Sequence, residues 1–100
     1  GPQAYLLALL SVGSLMRPLG DPRGATEEDC ALMMEQGLVL RSDQSLEAAL
    51  PVFDRADVPY LPVVDATKGG DLVLLGTLHH VDALKAYNRA LVATAAEEHS

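Results

Sequence analysis

Apolar residues along the chain fall into blocks separated by polar, Gly- or Pro-bearing stretches, and the spacing inside each block indicates its element. Tyr5, Leu6, Leu9, Leu10 and Val12 recur at helical spacing, predicting a short amphipathic helix over 3–12. Leu38-Val39-Leu40 is a compact apolar run of the kind a buried strand shows, bounded by Gly37 and the polar turn 41–45. Ser42 or Ser45 is placed to cap a helix over Leu46–Ala56, with Glu47 in its first turn. Pro51 inside that helix removes a backbone donor and crowds the preceding turn, which predicts a kink. Val58–Val64 reads as a second strand, limited in its pairing by Pro59 and Pro62. A polar hairpin loop, 65–71, leads to a third strand, Leu72–Leu78, apolar enough to be covered on both faces. The last helix is expected from about His80 to Glu97, with a buried stripe of Val81, Leu84, Leu91, Val92 and Ala95. The expected architecture is a small α/β (α+β) domain with two helices on one face of a small mixed sheet.

The stretch 19–37 breaks this rhythm. Gly20, Pro22 and Gly24 signal an irregular loop, after which Thr26-Glu27-Glu28-Asp29 has the form of a capping box. A short helix carrying Ala31, Leu32, Met33 and Met34 should follow and end at Gly37. It reads either as an ordinary surface helix with one apolar side or as a place where Met33 and Met34 pack against a partner, a use that suits flexible thioethers.

Composition narrows the function. At 49% hydrophobic and 4% aromatic residues, the core must be aliphatic. A chain of 100 residues buries a modest fraction of its surface, so it is expected to lean on a partner. A net charge of −7 with no basic stripe argues against nucleic acid and anionic headgroups as partners. No apolar run approaches the length that spans a bilayer, so no direct membrane insertion is expected. The single cysteine, Cys30, rules out an internal disulfide and fits a reducing compartment. Gly1-Pro2 looks like a protease-cleavage scar, which suggests a piece of a larger protein.

Catalytic chemistry finds no footing, and the chain is not expected to be an enzyme. The neighbours His79 and His80 point different ways at a strand-to-helix junction, and neither they nor His99 has a third ligand at metal-binding spacing. Cys30 lies beside Glu28 and Asp29, which disfavour a thiolate. No glycine-rich phosphate loop or nucleophile triad is present, and no cofactor is expected.

Two motifs carry a family resemblance: Leu61-Pro62-Val63-Val64-Asp65 and, after the hairpin loop, Gly76-Thr77-Leu78-His79-His80-Val81-Asp82. Together with the strand, helix, strand, strand, helix order over Leu38–Leu91, they resemble one CBS domain, the regulatory module named after cystathionine β-synthase. Val12-Gly13-Ser14-Leu15-Met16-Arg17-Pro18 is similar to the lead-in segment of that family. The resemblance implies a CBS-type β-α-β-β-α core over 38–98, preceded by an N-terminal helix and lead-in over 1–18 and by the insertion 19–37 before the first core strand. It also implies pairing of the sheet with a second copy, an approximately two-fold homodimer known as a Bateman module, with any nucleotide in the cleft between paired sheets.

The resemblance further implies where an adenine nucleotide (AMP, ADP or ATP) would sit. Asp82 matches the acid that hydrogen-bonds both ribose hydroxyls, and His79 stands where the family has a hydroxyl, a departure that weakens capping and phosphate contact. Val39, Leu40, Val58, Tyr60 and Leu61 would enclose the base, with Tyr60 able to stack on it. Without a ligand, Asp82 is simply an acid in a helix's first turn and the aliphatic residues are core. Finally, Leu74–Leu91, ending Ala86-Tyr87-Asn88-Arg89-Ala90-Leu91, looks like the CBS end of bacterial chloride channels and transporters (ClC family). That implies a soluble domain on the cytoplasmic side of the inner membrane, beneath the membrane domain of its parent channel in cis. The alternatives are the regulatory region of a soluble metabolic enzyme and a dimerisation module without a ligand.

Overall fold

The computed structural model of the chain describes residues 2–98. Helix α1 (Pro2–Leu9) buries Leu7 and rests Leu6 and Leu10 on the core, with Tyr5 and Leu9 outside. It is shorter than its apolar spacing predicts because Ser11 stops it. Ser11 is extended and bridges Ser45, and its hydroxyl accepts from the Ser14 N–H at 3.2 Å, capping the short helix α2 (Val12–Leu15). The chain then forms a two-residue edge strand, β1 (Arg17–Pro18).

Helix α3 (Glu27–Glu35) opens with the predicted capping box: the Thr26 hydroxyl accepts from the Asp29 N–H at 3.2 Å, and the Asp29 carboxylate accepts from the Thr26 N–H at 3.0 Å. Gly37, at φ 70°, turns the chain out of it. The first core strand, β2 (Leu40–Arg41), starts later than the apolar run suggests. Helix α4 (Leu46–Ala56) has the predicted limits, with Ser45 as its cap and Asp57 in the left-handed region closing it. The other capping candidate, Ser42, donates instead to Asp65. Helix α4 runs unbroken through Pro51. Pro51 and Glu47 both lie on the exposed side, so the carbonyl left without a donor is open to solvent.

Strands β3 (Tyr60–Ala66) and β4 (Leu72–His79) form the hairpin, and α5 (His80–Glu98) completes the fold. The sheet is mixed, in the order β1-β4-β3-β2, with β2 parallel to β3 and the other pairs antiparallel. The β2 ladder begins opposite Val63, past Pro62, so the proline sits where that side of β3 is not yet paired.

One face of the sheet carries Leu61, Val63 and Leu78 into a core with Phe53, Leu46, Ala49, Leu40, Val12 and Leu7. Helix α5 joins this core through Ala83, Ala86 and Ala90, not through the predicted stripe. Val81, Leu84, Val92 and Ala95 are exposed, and Leu91 is only half-buried. Small side chains let the helix axis come close to α1 and the sheet, while the larger aliphatics fall on the opposite side of the same helix. The hairpin end of β4 is likewise open, with Leu72 and Val73 exposed, so that strand is not covered on both faces.

The second sheet face is the less expected one. Helix α3 packs on β3, its Cys30 is fully buried, and Pro62, Val64 and Thr77 beneath are buried too. The insertion thus makes a third layer over part of the surface that the resemblance would leave for a second copy. Met33 and Met34 are half-buried, while Leu32 points out.

Candidate functional site

The polar cluster of the molecule lies on the α3 side of the sheet, where β1 meets the end of β4 and the start of α5. Alternation along β4 puts Thr77 and His79 on this face and Leu78 in the core. Tyr60 is the register partner of His79 across the β3–β4 ladder, and their rings lie 5.4 Å apart at 30°. Thr77 Oγ1 sits 2.9 Å from His79 Nε2 and also accepts the Ala25 N–H at 3.4 Å, tying the insertion loop to the sheet. Helix α5 begins at once after β4, its first N–H donating to the Pro59 carbonyl at 2.9 Å. Asp82 falls in its first turn, where a carboxylate complements the helix dipole.

Asp82 is already engaged. Arg17 Nε donates to Asp82 Oδ2 at 2.9 Å, and the Nη1 of the same guanidinium donates to the Arg23 carbonyl at 2.6 Å. The hydrogen bond from Arg17 holds the Asp82 carboxyl below its ordinary range, and desolvation opposes this only in part. His79 is pushed down by burial first and by the neighbouring Arg17 cation second, so its ring is neutral at pH 7. Burial raises the Tyr60 phenol. It also raises the Cys30 thiol, with Asp29 a secondary cause, so burial outweighs the acidic neighbours on which the sequence argument relied.

Of the seven residues the resemblance assigns to a nucleotide, Tyr60, His79 and Asp82 come together in this cluster. Leu40 and Leu61 are fully buried in the core on the opposite side of the sheet. Val58 packs against that core, and Val39 is half-buried ahead of β2. Two residues that sequence reasoning did not select, Arg17 and Thr77, complete the site. Arg17 lies in the lead-in segment and Thr77 in the second motif, and it is their pairing in the β1–β4 ladder that brings them together. His80 turns the other way and stacks on Phe53, with ring centroids 4.7 Å apart. Among the described residues no three His, Cys, Asp or Glu side chains gather as metal ligands, and His99 lies outside those residues. No described helix is long and apolar enough to cross a membrane.

The arrangement offers a carboxylate able to accept hydrogen bonds, an aromatic and an imidazole ring side by side, and one guanidinium. That set suits a sugar diol carrying a flat base. Only Oδ2 of Asp82 is engaged among the described residues, so a single oxygen is free while Arg17 stays in place.

The chain matches no protein-family model and no curated protein. Among solved structures it resembles the crystal structure of CBSX2 in complex with AMP, at a TM-score of 0.54 and 16% sequence identity, covering 80% of this chain and 97% of that one. The likeness establishes a CBS-type fold.

Proposed function

We propose that this CBS-type unit is a regulatory domain, not an enzyme, and that it takes an adenine nucleotide at the junction of β4 and α5. The observation that carries the reading is Asp82. It stands in the first turn of α5, a quarter exposed, beside Tyr60 and His79, in a fold shared with a protein crystallised with AMP. A carboxylate there can accept both hydroxyls of a ribose, and Tyr60 offers a face to the base. His79 is neutral and stands where the family has a hydroxyl, which favours a nucleotide with few phosphates.

The parent protein we read as a chloride channel or transporter, with this unit on the cytoplasmic side of its membrane domain and paired with a second copy. The support is the sequence of β4 and α5 from Leu74 to Leu91. A ligand-free structural unit is the competing reading, and the Arg17–Asp82 ion pair favours it.

Calorimetry with AMP, ADP and ATP on the native chain and on Asp82→Ala separates the two. Binding that weakens by about 1.5–3 kcal/mol in the variant supports the site. A nucleotide that binds only the folded state must also raise the melting temperature by mass action. Absence of heat with all three nucleotides at millimolar concentration leaves the structural reading.

A further inference from the structure

Arg17 joins two parts of the molecule that have no other reason to move together. Its Nε holds Asp82 on α5, and its Nη1 holds the Arg23 carbonyl in the loop that leads to α3. Two residues on from that carbonyl, the Ala25 N–H reaches the Thr77 hydroxyl only at 3.4 Å, a long bond. The loop 21–25 is therefore fastened to the sheet at two adjoining points, the stronger being the guanidinium, while α3 beyond it is held by its own packing on β3, with Cys30 fully buried. Asp29 and Thr26 satisfy one another inside α3 and add no tether to the sheet.

We infer that Arg17 is a latch: a ligand diol that claims both oxygens of Asp82 displaces the guanidinium and so frees the loop 21–25 from the sheet and loosens the seat of α3 behind it. The inference rests on the proposed nucleotide site and adds its consequence. A guanidinium that loses its carboxylate has only Asp21 as a neighbouring acid, and that carboxylate is shared with Arg23, whose backbone N–H it accepts at 2.9 Å. Its grip on the Arg23 carbonyl depends on that anchoring, since a long side chain fixed at one end loses rotamer freedom for little return. Freed, the loop leaves α3 held only by its own packing on β3, so α3 opens more often and the parts of β3 beneath, Tyr60, Pro62 and Val64, become accessible when it does. Ligand occupancy is thus read out as uncovering of a sheet face.

The test combines amide hydrogen exchange with calorimetry, using adenosine and AMP as probes. Adenosine lacks the phosphate, so it reports the contest for Asp82 without any new contact to the freed guanidinium. Saturating adenosine is expected to raise exchange across 23–36 at least tenfold and leave α4 unchanged. Arg17→Met should do the same with no ligand, and should bind adenosine about fivefold tighter because the competing ion pair is gone. Arg17→Lys, which keeps the charge but reaches one partner at a time, should fall between. Adenosine that binds the native chain without changing exchange over 23–36 overturns the latch and leaves the nucleotide site standing, as does an Arg17→Met variant that binds adenosine no tighter. No binding of adenosine or AMP to either protein overturns the site and the latch together.

Discussion

Gly76→Ala is the substitution with the plainest physical consequence. Gly76 has an ordinary backbone angle, so it is not needed for conformational freedom; it is needed for space. A Cβ built there falls inside the hard-core radius of the Arg17 carbonyl oxygen, 2.9 Å from Pro18 Cα and 3.1 Å from the Arg17 carbonyl carbon. All three obstacles are backbone, so no rotamer relieves the clash and β1 itself must move. Displacing it breaks the short β1–β4 ladder and the Leu19 N–H bond to the Leu75 carbonyl at 2.9 Å. It also pulls Arg17 off Asp82. Overpacking costs about 1–3 kcal/mol, a lost backbone bond about 1, and a partly exposed ion pair under 1. A total near 3 kcal/mol lowers the melting temperature of a domain this size by roughly 12–24 °C. Thermal unfolding by circular dichroism measures it, with Gly24→Ala as the control, because a Cβ at Gly24 meets its neighbours at an ordinary 3.4 Å. A Gly76→Ala protein melting within about 2 °C of the native chain refutes the close approach of β1.

Removing the Ser45 hydroxyl, which accepts the Ala48 N–H at 3.2 Å, should destabilise by about 1 kcal/mol, and urea titration of Ser45→Ala should show a lower midpoint at unchanged slope. His79 is depressed below its ordinary value, so its neutral form is the native one. Its contribution to stability is complete above about pH 6.5 and is lost as pH falls toward the folded-state value. Melting curves from pH 7.5 to 5 should therefore drop for the native chain and stay flatter for His79→Gln; equal slopes refute the assignment. Asp82, Asp29 and Asp21 are also lowered, each by hydrogen bonds to its carboxylate, and their contributions disappear only below about pH 4.

What the sequence made legible is what neighbours within four residues decide. The Thr26 capping box and the cap of α4 depend on a hydroxyl and the N–H groups of the next turn; the first is where the sequence puts it, and of the two hydroxyls offered for the second, Ser42 and Ser45, the structure uses Ser45. The hairpin and the last helix followed from apolar runs bounded by turn residues. Helix α5 shows where that logic stops, because it carries two apolar stripes. Hydropathy favours Val81, Leu84 and Val92, but the structure buries Ala83, Ala86 and Ala90. The choice is made by how closely another layer approaches, which no local pattern records. The site divides in the same way. Asp82 and His79 came from a motif, whereas Arg17 reaches Asp82 across 65 positions of sequence and emerges only when β1 is laid beside β4.

The same distinction bears on assembly. The expectation of a second copy rested on a short, aliphatic chain with one sheet face left bare. The insertion answers part of that need from within: α3 packs on β3, where Pro62 and Val64 are buried, so the free-energy gain of covering that strip is already taken in the single chain. A partner approaching that strip must first displace α3 and lose what its packing contributes, including the burial of Cys30. Pairing through this part of the sheet would therefore compete with the chain's own third layer.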